Sequence, residues 1–145
     1  MCVCPGYRIT RYDIPRRYIE YSPNRSIRRG LYLAFCKSFS SPVHTGKHCA
    51  VLFDKHLNIV KTFVNCHKPD GGMGTIHAEE GLIKTIIEEE PGYDFSSCIL
   101  LVVKTNKIGG FSNSAPCDKC LGIIQKYNVG MVIFTNHSKL MTISK

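Results

Sequence analysis

No apolar run in the chain is longer than the six residues Cys98-Ile99-Leu100-Leu101-Val102-Val103. Successive side chains of a strand point to opposite sides, so a strand of this kind is apolar on both faces and must be covered on both. A bilayer span takes about 20 residues, so the run predicts a buried central strand and no membrane partner. The flanking sequence supplies the covering helices. Ala78, Leu82, Ile83, Ile86 and Ile87 recur at helical spacing within residues 76–90, before Pro91-Gly92 stops the pattern. A second helix opens at Pro116 and carries Leu121, Ile124 and Tyr127 on one stripe until Asn128-Val129-Gly130. A short one is expected over residues 31–36, ended by the Ser-Ser-Pro break at Pro42.

Residues 48–53 and 58–64 read as two strands of a hairpin turning through residues 54–57. Residues 69–74 and 107–112 read as loops. Residues 132–134 and 140–143 read as strands too close together for a helical crossover, which predicts a C-terminal antiparallel hairpin. The expected fold is a three-layer α/β/α sandwich around a mixed five-stranded sheet.

The chain has 145 residues, 43% hydrophobic and 21% charged, an ordinary globular composition that excludes collagen-like, mucin-like and wholly disordered classes. Its net charge of +8 is unevenly spread. All seven arginines lie in residues 1–30, opposed only by Asp13 and Glu20 and interleaved with Tyr7, Tyr12, Tyr18 and Tyr21. This composition step divides a basic arm, residues 1–30, from a domain spanning residues 31–145. The arm reads either as a solvated or packed leader or as an element that grips nucleic acid, since guanidinium groups and aromatic rings suit phosphates and bases. The start of the chain lacks the apolar stretch of a secretory signal. An intracellular protein, cytoplasmic or nuclear, is therefore expected, with eight cysteines that do not form a disulfide framework. Cys36, Cys49 and Cys98 fall on apolar elements as core thiols, His48 as a structural histidine. Cys66-His67 is a candidate for a pocket rim, and Cys2 and Cys4 for a second metal.

Two segments at expected helix starts carry the chemistry: His77-Ala78-Glu79 and Pro116-Cys117-Asp118-Lys119-Cys120. Cysteines spaced i, i+3 point to the same side of a helix, where two thiolates take adjacent corners of a zinc tetrahedron. His77 supplies a third ligand. Three protein ligands leave the fourth position for water, the open geometry of a catalytic zinc site. Glu79 diverges from His77 and is placed to accept that water's proton. Taken alone, the cysteine pair also fits a structural zinc site or a redox pair.

In order, spacing and context these two segments resemble the zinc-dependent cytidine/deoxycytidylate deaminase superfamily, whose signature is H-x-E followed by P-C-x-x-C. The resemblance covers roughly residues 48–145. It implies a zinc-dependent hydrolase acting on the C–N bond of a cyclic amidine, with cytosine in a nucleoside or nucleotide as the first choice of substrate. It further implies substrate contacts at Asn65, Ala78, Ser114 and Ala115, and an oligomer. Free cytidine deaminases usually place a phenylalanine just before the first strand to stack on the pyrimidine. Here that region is Val43-His44-Thr45-Gly46-Lys47, so stacking falls to Phe111 or to a tyrosine of the arm. The terminal hairpin looks like the cytidine deaminase branch. A polynucleotide-editing deaminase that uses the arm, and a non-catalytic zinc module that binds nucleic acid, remain the alternatives.

Overall fold

The computed structural model describes residues 19–144. The strands are β1 (Ile19–Glu20), β2 (Lys47–Phe53), β3 (Ile59–Val64), β4 (Cys66–His67), β5 (Thr75–Ile76), β6 (Ile99–Thr105), β7 (Phe111–Ser112), β8 (Met131–Asn136) and β9 (Lys139–Ser144). The helices are α1 (Arg25–Ser38), α2 (Ala78–Glu89) and α3 (Asp118–Lys126). The apolar run is the central strand β6, which pairs antiparallel with β2 and parallel with β8. The order across the sheet is β1-β9-β8-β6-β2-β3, with β7 on the end of β6. The mixed α/β architecture is the expected one, and β8 and β9 form the expected hairpin through His137 and Ser138. Five long strands make the sheet, as the sequence pattern indicates, but the two-residue strands β1 and β7 extend it. A separate ribbon pairs β4 with β5. The segment read as a loop at 69–74 is thus the turn of that ribbon, whereas of 107–112, also read as a loop, only 107–110 lead up to β7 and Phe111–Ser112 are the strand itself, paired with the end of β6.

Alternation along the strands sorts side chains onto two faces. Ala50, Leu52, Leu100, Val102, Val132 and Phe134 pack with Ala78, Leu82, Ile83 and Ile86 of α2 and with Ile124 of α3. Cys49, Val51, Phe53, Leu101, Val103 and Ile133 pack with Ile27 and Ala34 of α1.

Helix α1 begins at Arg25, not at Leu31, because Asn24 caps it and its side chain accepts the backbone N–H of Ile27 at 3.0 Å. The composition step at Gly30 falls inside this helix. Gly30 itself is required there, since a Cβ would lie 2.2 Å from Cζ of the buried Phe53. Helix α3 begins at Asp118 with Cys117 as its cap, so Pro116 precedes the helix rather than opening it. Cys49 and Cys98 are buried as expected, whereas Cys36 is exposed on the outer side of α1. Cys2, Cys4 and the arginines and tyrosines before residue 19 lie outside the described residues. Among the described residues no helix is long and apolar enough to cross a membrane.

Candidate metal centre and active site

The carboxyl ends of β6 and β8 and the N-termini of α2 and α3 share one end of the sheet, the end where ligands bind in open α/β folds. His77 is the N-cap of α2, Cys117 the N-cap of α3, and Cys120 lies in the first turn of α3. Nδ1 of His77 is 3.4 Å from Sγ of Cys120 and 3.6 Å from Sγ of Cys117. All three donor atoms lie within 4.8 Å of one another. A tetrahedral zinc with Zn–S about 2.3 Å and Zn–N about 2.0 Å separates neighbouring N and S ligands by about 3.5 Å. The trio therefore fits zinc in both donor chemistry and spacing. Cys117 Sγ also accepts the backbone N–H of Cys120 at 3.5 Å, a bond that favours the thiolate. Contact with the Cys117 sulfur raises the His77 imidazole above its ordinary value.

Glu79 follows in the first turn of α2 and is only 1% exposed. Its Oε2 lies 3.9 Å from Sγ of Cys120, which places the carboxyl group beside the trio. Burial pushes this carboxyl up to about 7. Its neighbour Glu80 behaves differently. Burial raises it, but Lys119 at 3.0 Å and Lys84 at 3.1 Å hold it below the usual carboxylate range. The Lys119 contact joins the first turn of α3 to that of α2 and so ties together the two helix starts that carry the trio. Sequence reasoning passed over this bridge, although opposite charges beside both ligand segments are its visible signal.

The remaining sequence-derived candidates lie around this end with their side-chain polar groups engaged in the protein. Asn65 is buried: Oδ1 accepts from Ser41 Oγ (2.7 Å) and from the backbone N–H of His48 (2.9 Å), and Nδ2 donates to the Gly46 carbonyl (2.7 Å). It therefore fixes the segment from Ser41 to His48. Ser114 Oγ donates to the Val102 carbonyl at 2.7 Å, accepts the Thr135 N–H at 2.7 Å, and lies 2.8 Å from the Thr135 hydroxyl. Ala78 and Ala115 are buried in the α2/α3 core beside the ligand segments. Cys66 and His67 pair across the ribbon with Ile76 and Thr75, just before His77. Phe111 does not meet the expectation of a stacking ring at this site. It packs edge-on against Phe35 of α1, ring centroids 5.3 Å apart, as part of the opposite face. Tyr21 belongs to that face as well.

A family model described as the cytidine and deoxycytidylate deaminase zinc-binding region matches residues 31–136. No curated protein matches significantly. Among solved structures the chain is similar to cytidine deaminase from Burkholderia pseudomallei, at 17% identity and a TM-score of 0.61 over 81% of this chain and 91% of that one. It is also similar to cytidine deaminase from Mycobacterium leprae, at 16% identity and a TM-score of 0.50 over 77% and 87% of the two chains. At these identities the likeness is one of fold.

Proposed function

This chain belongs to the cytidine and deoxycytidylate deaminase zinc-binding family, and we propose that it replaces the exocyclic amine of cytosine, in a nucleoside or nucleotide, by the oxygen of water. Zinc is its cofactor. His77, Cys117 and Cys120 hold the ion, and their two negative thiolates and neutral imidazole balance its charge. Bound there, zinc supplies Lewis acidity that makes water a nucleophile near neutral pH.

The protein's own residues do the rest. Glu79 takes one proton of the attacking water and passes it to N3 of the ring as C4 becomes tetrahedral, then takes the second proton from the new C4 hydroxyl and delivers it to the amine as the C–N bond breaks, leaving a C4 carbonyl and ammonia. Burial excludes bulk water from this carboxyl group, so its protons go to substrate. Asn65 holds the segment 41–48 as one wall, and the anchored Ser114 sets the backbone of Ala115 and Pro116 as another, facing the amine. Ala78 keeps the floor between His77 and Glu79 small. A homo-oligomer belongs to this reading.

The observation that carries the proposal is the Glu79 carboxyl group beside a nitrogen and two sulfurs at tetrahedral zinc spacing. The test is an ammonia-release screen of the zinc-loaded chain against cytidine, deoxycytidine, their monophosphates, adenosine, guanine and short single strands. Cytosine mononucleosides or mononucleotides should release ammonia. Glu79→Gln should keep zinc and fold while losing roughly 10²- to 10⁴-fold in turnover, the usual contribution of a general acid–base. Release from single strands alone would assign the chain to polynucleotide editing. Zinc retention with no release from any base would make it a non-catalytic module.

A further inference from the structure

The outer side of α1 carries a stripe that packing does not use. With about 3.6 residues per turn, Arg25, Arg28, Arg29, Tyr32 and Cys36 fall on one side of the helix, and Phe39, its C-cap, continues the line with helical backbone angles. All six are exposed, on the side away from the buried Ile27, Gly30, Ala34 and Ser38. At 1.5 Å per residue the stripe is about 21 Å long. Tyr32 is 72% exposed and Phe39 45%, although burying an aromatic ring is among the larger gains open to a fold. Phe39 is nevertheless held in place. Phe35 packs edge-on against it with ring centroids 5.1 Å apart, and Phe111 backs Phe35 at 5.3 Å.

The charge on this side is of one sign. Helix α1 holds Arg25, Arg28, Arg29 and Lys37 and no carboxylate, whereas α2 across the sheet holds four glutamates against one lysine. Among the described residues the ion pairs use Lys61, Lys84 and Lys119, so none of them neutralises an α1 cation. Phe39 is also a wall of a cavity of about 630 Å³ between the segment 44–47 and the carboxyl end of β6. Its lining includes His44, Lys47, Lys104 and Lys107, and among the described residues no carboxylate. Ser38 Oγ meets Thr105 Oγ1 at 2.8 Å, which fixes the end of α1 against that wall. Lys104 is buried and Lys107 exposed, so positive potential extends from the stripe into the recess. Neither stripe nor cavity shares a residue with the metal trio or Glu79.

We propose that the outer stripe of α1 and this cavity form one docking surface for single-stranded nucleic acid, separate from the metal centre. The inference does not rest on the deaminase reading. Guanidinium groups grip phosphate oxygens with paired hydrogen bonds, and Tyr32 and Phe39, about 10 Å apart along the helix, offer rings to unpaired bases. The surface chemistry selects this partner over other anions. A duplex keeps its base faces inside the stack and would leave both rings unused. An acidic peptide would satisfy the cations and not the rings. A flat layer of lipid headgroups would meet the stripe but not a buried lysine in a recess, which a flexible phosphodiester chain reaches.

The experiment measures binding of the zinc-loaded full chain to a labelled oligothymidylate, which contains no cytosine and so tests the surface without turnover at the metal centre. Replacing Arg25, Arg28 and Arg29 together by alanine should flatten the slope of log affinity against log salt by about 2, at about 0.7 per phosphate contact on a single strand. Lys107→Ala should flatten it by about 0.7. Tyr32→Ala should weaken binding roughly 5- to 150-fold with the slope unchanged, the usual worth of one stacked base, and Tyr32→Phe should restore it. All these side chains are exposed, so unfolding midpoint and zinc content should match those of the unsubstituted chain.

Unchanged affinity and slope in the triple arginine variant would overturn the proposal. So would a loss confined to a variant carrying Arg8→Ala, Arg11→Ala, Arg16→Ala and Arg17→Ala, which would assign the contact to residues before α1. A slope that Lys107→Ala leaves unchanged would remove the cavity from the surface. Duplex binding as tight as that of the single strand, with Tyr32→Ala without effect on either, would leave only a general polyanion patch. Tyr32-dependent binding to phosphatidylserine vesicles, with none to the strand, would assign the stripe to a membrane. Either result overturns the single-strand assignment.

Discussion

The two faces of the sheet are built from alternate residues of the same strands, yet they serve opposite ends. The α1 face packs Ile27, Ala34, Val51, Phe53, Leu101 and Val103 into a continuous apolar layer. The α2/α3 face has an equally apolar middle, but toward the carboxyl ends of β6 and β8 it turns polar, with buried His48, Lys104 and Glu79, the last beside the nitrogen–sulfur trio. Stability and chemistry are thereby separated by the direction in which each side chain leaves its strand. Damage to one face should be measurable without loss of the other.

The largest separation should come from His77→Ala. Removing one of three ligands should release most of the zinc and abolish turnover, while the α1 face stays packed, as read by metal content per chain against near-ultraviolet circular dichroism. Full zinc occupancy in this variant would show that the ligand set is wrong. Leu101→Ala probes the converse. Leu101 is fully buried against α1, so its truncation should cost about 2–5 kcal/mol in denaturant unfolding, with zinc content and turnover per folded molecule unchanged. Zinc loss under conditions where this variant is still folded would mean the faces are coupled.

His48 tests the polar end through pH. Burial, with the charges of Lys104 and His77 adding to it, lowers this imidazole from its ordinary value of 6.5 to about 3, while its bond to the Gly46 carbonyl opposes the shift. The folded state therefore binds the proton less readily than the unfolded chain. Its contribution to stability is intact above pH 6.5 and falls by roughly 1.4 kcal/mol per unit as pH drops from there toward 3. His48→Gln should be less stable at pH 7, losing the Gly46 contact, but should show a shallower decline in urea midpoint between pH 6.5 and 4. Parallel profiles for the two proteins would remove His48 as the source. The smallest effect belongs to Lys119→Met. The Lys119 side chain is 55% exposed, so solvent screens its bridge to Glu80 and the loss should stay within about 0.2–1 kcal/mol. The sharper readout is zinc release to a chelator, which should quicken if the bridge holds the two helix starts together.

Much of this arrangement was visible in the chain because its signals are periodic or chemical. The apolar run located β6, the 3.6-residue spacing located α2 and α3, and paired cysteines with an upstream histidine pointed to the trio that the fold brings together as a candidate metal centre. What escaped has physical causes. The buried stripe of α1 is Ile27, Gly30, Ala34 and Ser38, two of which are not apolar, so its first turns carry almost no hydrophobic signal and only Asn24 marks the start. The two-residue strands β1, β4, β5 and β7 are too short to show alternation at all. Phe111 looked like a free aromatic ring beside the site because pairing of β7 with β6, invisible in the sequence, decides the face it takes. The Glu80–Lys119 bridge links residues far apart in the chain and needs the helix packing before it exists.

The pairing of β1 with β9 sets Ile19 opposite Thr142 and Glu20 opposite Met141. The first described strand thus waits for the last one to be made. On a ribosome the β2–β3 hairpin and the helix α2 emerge early and close over short spans, whereas this edge closes a loop of nearly the whole chain and carries the greater entropic cost. β9 must be made before the sheet is complete, and until then the outer edge of the growing sheet is open to pairing with another copy.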